Sequence, residues 1–189
     1  MHIKEEVFLD DYGIRRKKFV YDRRVHYSYV FAAGSEVYTV IIGRLADELT
    51  FTRIGYEMPA DIQFPVKGMA EVYFDVFDGM EGLADFRHVR FTGLGSAVVL
   101  QRVSLALVAH YEQFNIGGFV FQAASGGVVD KGRRISLEEL YDYLLGLKSV
   151  PRYNLRTGLL KKTPRPLIPK GLHAYKTVTR RRACYVILH

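Results

Sequence analysis

The chain has 189 residues, 49% of them hydrophobic, and a formal net charge of +7. This size suits one compact domain with its own core, and no apolar run approaches the ~18 residues that a transmembrane helix needs. The first residues lack the apolar stretch of a secretory signal, and the one cysteine, Cys184, excludes an internal disulfide. We therefore expect a protein of a reducing, cytoplasmic compartment that does not enter a membrane. The histidines are scattered without metal-ligand spacing, so no metal site is predicted.

The positive charge is concentrated at one end of the sequence. Residues 151–189 hold ten of the 27 lysines and arginines and none of the 20 acidic residues, so residues 1–150 carry a net charge of −3. Such asymmetry is typical of a chain with an anionic partner, here nucleic acid, a phosphate-bearing ligand or an acidic protein surface. A solvated basic extension explains it equally. We predict a domain over 1–150 and a basic extension over 151–189, whose final strand rejoins the sheet.

Hydrophobic periodicity predicts β-strands in the first half of the chain. Residues 5–25 show no clear element, but residues 26–31 alternate, with their aromatic side chains on one face. Residues 37–43 are rich in β-branched side chains, which favour a second strand. Residues 47–68 contain prolines and are not expected to form a long regular element. A third strand is predicted over 71–77.

The middle of the chain predicts a β-α-β unit. The longest helical pattern covers residues 96–112, where apolar residues recur at three- and four-residue spacing. Short strands are predicted on either side of it, over 86–91 and 119–123. Because a helix connects them, we expect these two strands to be parallel.

The remaining elements complete an α+β fold. Residues 125–132 are interpreted as a loop, and Ser136-Leu-Glu-Glu139 is a capping box that begins a helix ending near Gly146. Beyond Pro151 the pattern is loop-like until a terminal strand over 183–188. The sequence thus predicts a central mixed sheet, with antiparallel strands first, then one β-α-β crossover, and helices packed on the sheet.

The most informative motif is Arg90-Phe-Thr-Gly-Leu-Gly-Ser-Ala97, which leads directly into the long helix. Glycines let the backbone approach a ligand, and the first turn of a helix presents free N–H groups to anions. The arginine adds a positive charge. A tight strand-to-helix turn also explains the glycines without any ligand. The candidate phosphate-binding residues are Arg90, Gly93, Leu94, Gly95, Ser96 and Ala97.

This motif and the order of elements resemble the GNAT acyltransferase superfamily. In that family an R/Q-x-x-G-x-G/A turn holds the coenzyme A pyrophosphate through its backbone amides, and a helix, a splayed strand and a tyrosine-bearing helix follow. The chain is also similar to small GNAT-like proteins encoded by bacteriophages, through Thr92-Gly-Leu-Gly95, Phe121-Gln-Ala123 and Leu140-Tyr141. The resemblance covers residues 26–146 and implies acetyl-CoA or another acyl-CoA as cofactor.

The resemblance implies an N-acyltransferase in which an amine attacks the thioester directly. Tyr141 is then the candidate acid that returns a proton to the coenzyme A thiolate, and Glu71 and His88 are candidate bases. The structural alternatives are a packed helix tyrosine, an exposed strand edge for Glu71 and Asp75, and a half-exposed strand residue for His88. Cys184 is interpreted as a buried apolar residue rather than a nucleophile.

A second hypothesis is a non-catalytic GNAT-like protein of phage type, in the host cytoplasm. It would bind nucleic acid, a virion component or a host protein through the basic residues of 152–182, aided by aromatic side chains on which bases can stack. The acceptor amine and the oligomeric state do not follow from the sequence. The aromatic residues that accompany the basic ones are Tyr153, His173, Tyr175 and Tyr185.

Overall fold

The computed structural model describes residues 4–9, 13–76, 95–122, 127–130, 133–136, 138, 141–142, 145–148, 168, 170–179 and 182–189. The strands and helices defined there are β1 (Lys4–Leu9), β2 (Ile14–Tyr21), β3 (Arg24–Ala33), β4 (Glu36–Leu45), α1 (Glu48–Arg53), β5 (Met69–Val76), α2 (Gly95–Phe114), β6 (Gly118–Gln122), β7 (Gly127–Asp130), β8 (Arg133–Ser136), β9 (His173–Thr179) and β10 (Arg182–Leu188).

Eight of these strands form one mixed sheet in the order β1-β2-β3-β4-β5-β6-β10-β9. Strands β1 to β5 are antiparallel neighbours, and β5 and β6 are parallel, with α2 between them in sequence. Strand β10 lies antiparallel between β6 and β9, while β7 and β8 form a separate hairpin. The predicted α+β class, with a mixed sheet that begins with antiparallel strands, is therefore confirmed.

The hairpin that joins β2 and β3 has a two-residue turn. Tyr21 pairs with Arg24, and the central residues Asp22 and Arg23 have φ angles of 47° and 58°. Positive φ at both central residues is the geometry of a type I′ turn, which matches the right-handed twist of the strands. An arginine at such a position is uncommon, so the hairpin fixes the Arg23 backbone in a conformation that side chains other than Gly, Asn and Asp rarely adopt.

Helix α2 covers one face of the sheet, against β3 and β4. It runs from Gly95 to Phe114, close to the predicted range of 96–112, and Asn115 with φ of 47° ends it. Neither this helix nor any other in the described ranges is long and apolar enough to cross a membrane.

The core beneath α2 contains a buried polar pair. The Nδ1 atom of His110 on α2 lies 3.0 Å from the hydroxyl of Tyr29 on β3. Burial, and then the charge of Arg16, lowers the pKa of His110 to about 3, so its ring is neutral at physiological pH. The apolar side chains of this face include Phe31, Tyr38, Val40, Ile42, Val72, Val99, Leu107, Phe119, Tyr185 and Ile187.

The opposite face is covered by α1 and the segment that follows it. Asp47 begins α1, with its Oδ1 atom accepting a hydrogen bond from the Thr50 amide at 2.7 Å. Cys184 lies fully buried here, and burial raises its pKa to about 12, which confirms the prediction of an apolar role. Its buried neighbours in this cluster are Leu45, Phe51, Tyr56, Met69, Val120, Val186 and Leu188.

Several sequence-based assignments of elements need correction. The loop predicted over 125–132 is wrong at Gly127–Asp130, which is strand β7, and the loop-like interpretation beyond Pro151 is wrong at His173–Thr179, which is strand β9. Strands β1 and β2 were not predicted. The strand predicted over 86–91 lies outside the described residues, and the parallel partner of β6 is β5.

Candidate functional site where two parallel strands diverge

Strands β5 and β6 are paired over a very short distance. Their register contains only Ala70 with Phe119 and Glu71 with Val120, although β5 continues to Val76. In the described part of both strands no further ladder forms, so they separate after Glu71. The backbone groups of β5 beyond that point are therefore not paired with β6 among the described residues, and the space between the two diverging strands is called the gap here.

Glu71 lies at the start of this gap and is held by two partners. Its Oε2 atom accepts a hydrogen bond from Nη1 of Arg24 at 3.0 Å, and its Oε1 atom accepts one from the hydroxyl of Tyr73. Glu71 is 2% exposed and Asp75 is 5% exposed. The interpretation of these carboxylates as an exposed strand edge is therefore wrong, and Glu71 is a buried, hydrogen-bonded anion.

Tyr73 connects this buried carboxylate with the surface. Its side chain is exposed, while its hydroxyl donates to Glu71. Desolvation, and then the charge of Glu71, raises the pKa of Tyr73, and the same two causes raise the pKa of the buried Tyr56 nearby. Both phenols are therefore protonated at neutral pH and can act as hydrogen-bond donors to Glu71.

A glycine brings a histidine ring next to the same network. Gly43 on β4 pairs with His26 on one side and with Glu71 on the other, and an added Cβ atom would lie 2.7 Å from the His26 ring. The ring therefore lies over β4 and stacks on Phe19, with centroids 5.3 Å apart. Burial is the main cause of a lowered pKa for His26, so its neutral form is favoured.

Tyr141 approaches the gap from the opposite face of the sheet. Its ring packs edge-on against Phe121 of β6, with centroids 5.2 Å apart, and against Tyr185 at 5.7 Å. Burial, and then the charge of Asp75 on β5, raises its pKa to about 12. Tyr141 therefore lies close to both diverging strands and carries its proton at neutral pH.

The next residue, Asp142, anchors Tyr141 to the sheet. Both of its carboxylate oxygens accept from Nζ of Lys176 at 2.9 Å, and Oδ1 accepts from the hydroxyl of Tyr185 at 2.8 Å. Burial alone would raise the pKa of Asp142, but these hydrogen bonds outweigh it and lower the pKa. Gly146, with φ of 75°, has the left-handed geometry expected at the predicted helix end.

The glycine motif lies mostly outside the described residues. His88, Arg90, Gly93 and Leu94 are among those not described, so the structure does not bear on their roles. Gly95 is the first residue of α2, and the helix therefore begins within the motif. Ser96 and Ala97 occupy its first turn, where backbone N–H groups have no partner within the helix.

The basic extension is in part a component of the sheet. Strand β10 lies between β6 and β9, and its Tyr185 is fully buried, so this side chain cannot stack on a nucleic-acid base. Lys176 on β9 is paired with Glu138 at 2.7 Å and with Asp142. A solvated extension is therefore wrong for β9 and β10, which are paired strands of the sheet, although His173 and Tyr175 of β9 are exposed.

The network around Glu71 contains residues that the sequence did not single out. Arg24 and Glu71 are 47 positions apart, and they meet because β3, β4 and β5 pair side by side. Tyr56 comes from the irregular segment after α1, where no periodic pattern exists. The sequence feature that indicates part of this network is the alternation of Glu71, Tyr73 and Asp75, which places their side chains on one face of a strand.

Comparison of the chain with protein-family models, curated proteins and solved structures gives no match. The functional conclusion therefore depends on the geometry of the gap and on the motif from Arg90 to Ala97.

Proposed function

We propose that the chain is an acyl-CoA-dependent N-acyltransferase with a GNAT-like fold. The observation that carries the proposal is the separation of β5 from β6 after two residue pairs, with α2 and its glycine motif connecting the two strands. A splayed strand at this point of the chain is what the resemblance to the GNAT superfamily implies. The gap would give the thioester a place between β5 and β6, which form no further ladder with each other among the described residues.

The motif supplies the binding part of the proposal. The pyrophosphate of acetyl-CoA or another acyl-CoA would accept hydrogen bonds from the backbone amides between Gly93 and Ala97, with Arg90 adding a charge. The pantetheine chain would then extend into the gap. A backbone N–H of β5, in the part of the strand that diverges from β6, would donate to the thioester carbonyl and stabilise the oxyanion that forms on attack by the amine.

The two faces of the sheet supply the proton-transfer groups. Tyr141, on the α2 face, would return a proton to the coenzyme A thiolate, and its raised pKa keeps that proton in place at neutral pH. On the other face, Glu71 is the candidate base, and the hydroxyl of the partly exposed Tyr73, which donates to Glu71, would relay the proton of the amine. His88 is the other candidate base.

Cofactor binding is tested by thermal unfolding in the presence of acetyl-CoA. At about one hundred times Kd, a cofactor stabilises the native state by about 2.7 kcal/mol, which corresponds to a rise in Tm of roughly 5–10 °C for a chain of this size. We expect Gly93→Asp to abolish the rise, because a carboxylate would repel the pyrophosphate. Gly34→Asp is the matched control, since Gly34 has φ of 67° in an exposed turn with nothing within 4 Å.

The chemical step is tested with Tyr141→Phe, which keeps the packed ring and removes the hydroxyl. We expect kcat to fall about 100-fold, with KM for acetyl-CoA and the cofactor-induced rise in Tm unchanged. Tyr111→Phe is the control, because Tyr111 also packs on β6, with its ring 6.3 Å from that of Phe119. Equal kcat values in both variants would contradict the assignment.

The non-catalytic hypothesis predicts a different set of results. Acetyl-CoA at millimolar concentration would then leave Tm unchanged, while nucleic acid would bind in a salt-dependent manner. Removal of the whole basic extension is unsuitable as a test because it removes β9 and β10 from the sheet. Lys161→Gln with Lys162→Gln lowers the charge of the extension and changes no residue of β9 or β10, and loss of binding in that variant would support the non-catalytic role.

A further inference from the structure

A pocket of about 470 Å³ at one end of the sheet is lined by arginines from separate elements. Arg23 comes from the β2–β3 turn, Arg44 from the end of β4 and Arg53 from the end of α1, and Arg24 joins them at the start of β3. This volume lies within the range of sites for small ligands. The other lining residues are Asp22, Val25, Ala46 and Thr50.

Among the described residues, the positive charges of this pocket outnumber the negative ones. The ion pairs among the described residues include none from Arg23, Arg44 or Arg53, whereas Arg24 is paired with Glu71. Asp22 is the one acidic residue of the lining. The hydrogen bond from the Thr50 amide, and also the charge of Arg53, lowers the pKa of Asp47, so Arg53 has this carboxylate nearby and about one positive charge of the four arginines is left over. Guanidinium groups held together with too few counter-charges repel one another, so an anion that bridges them is favoured.

Arg24 has further hydrogen-bonding capacity. Its Nε atom is buried and has no hydrogen-bond partner among the residues that the structure describes. A buried donor without an acceptor is unfavourable, so an added oxyanion acceptor would stabilise the guanidinium.

We propose that this pocket, called here the arginine pocket, binds a small molecule with a phosphate or pyrophosphate group. Arginine forks match the tetrahedral oxygens of phosphate, and the negative charge of such a group neutralises the excess positive charge of the lining. The proposal does not depend on the acyltransferase activity. Arg44 pairs with Ala70 at the start of β5, and Ala70 pairs with Phe119, which follows the end of α2. The 20 residues of α2 span roughly 30 Å, so the first residue of α2, Gly95, lies at the far end of the β-α-β unit from the arginine pocket.

The test is isothermal titration calorimetry of the full chain with inorganic pyrophosphate at low ionic strength. We expect saturable binding that weakens about tenfold in Arg44→Gln, about tenfold in Arg53→Gln, and further in the double variant. Both side chains are exposed, so the variants should fold. Lys18→Gln, an exposed position on β2 outside the pocket, removes the same charge and should change Kd less than twofold.

Further measurements distinguish the arginine pocket from other anion-binding sites, and phosphate compounds from other ligands. The Gly93→Asp variant should keep full affinity for pyrophosphate. If Gly93→Asp instead loses binding while Arg44→Gln and Arg53→Gln bind pyrophosphate normally, the probe binds at the glycine motif and the proposal is overturned. Citrate that binds more tightly than pyrophosphate would overturn the phosphate assignment. The proposal would also be overturned if pyrophosphate showed no saturable binding, or if Lys18→Gln weakened that binding as much as the arginine variants do. It would be overturned as well if duplex DNA, and no small phosphate compound, bound in a manner that depends on Arg44 and Arg53.

Discussion

Replacing Glu71 by glutamine would test how much the buried ion pair with Arg24 contributes to stability. At the observed 3.0 Å and an effective dielectric constant near 20, the attraction is about 5.5 kcal/mol before desolvation is counted. Glutamine keeps the size of the side chain and one acceptor oxygen, but it leaves the guanidinium of Arg24, 16% exposed, without a counter-charge. We expect Glu71→Gln to lower the free energy of unfolding by about 3 kcal/mol.

A double-mutant cycle with Arg24→Gln measures the pair itself. Urea unfolding of the two single variants and the double variant should give a coupling energy of about 2 kcal/mol. The control is Glu138→Gln, whose carboxylate lies even closer to its partner, 2.7 Å from Nζ of Lys176, but is 51% exposed. Because water screens that pair, its loss should be below about 1 kcal/mol.

The reasoning would be refuted by a coupling energy below about 0.5 kcal/mol for Arg24 and Glu71. It would also fail if Glu138→Gln were as destabilising as Glu71→Gln, because burial would then have no effect on the outcome. Equal m-values in all variants are required for either comparison.

Three further predictions concern packing and protonation. Gly118→Ala should lower the free energy of unfolding by about 3 kcal/mol or more in urea titrations, since its Cβ would lie 2.1 Å from the carbonyl oxygen of Ile187, in backbone that cannot move aside. The lowered pKa of His110 predicts that stability decreases as the pH falls below 6.5 towards 3; His110→Gln should reduce that slope by up to about 1.4 kcal/mol per pH unit. Cys184, buried with a pKa of about 12, should react with a disulfide reagent only as fast as the protein unfolds.

Each of these has a control or a contrary outcome. Gly13→Ala changes a glycine with positive φ and nothing within 4 Å, so it should cost only about 1 kcal/mol. An unchanged acid slope in His110→Gln would show that this histidine is not kept neutral by the fold. Rapid modification of Cys184 under native conditions would show that β10 opens separately from the rest of the sheet.

The sequence predicted those elements whose hydrophobic pattern is regular. Strands β3, β4, β5 and β6 and helix α2 were each located within a few residues, because one buried face repeats along them. Strand β2 was missed because Arg16 takes a buried position in its alternating pattern, with its guanidinium 5.9 Å from the ring centre of Tyr27. A basic residue inside the core conceals the period that identifies a strand.

The candidate site was predicted only where it depends on local sequence. Glu71 and Tyr141 were selected for their chemistry and position, but their surroundings depend on which strands are neighbours. Arg24 meets Glu71 across Gly43 because of the register of β3, β4 and β5, and no local pattern encodes that meeting. The arginine pocket likewise brings residues 22–25 of the β2–β3 hairpin against residues 44–53, about 20 positions later, so it becomes visible only in the fold.

The position of β10 between β6 and β9 has a consequence for the order in which the chain can fold. Gln122 of β6 pairs with Cys184, which is synthesised 62 residues later. At about 5–20 residues per second, β6 exposes an apolar edge for roughly 3–12 s before its neighbour exists. During that interval the meander from β1 to β5 can already be complete, since its pairings are local, while an apolar edge is open to other chains. The yield of native protein should therefore depend on how this edge is protected during synthesis.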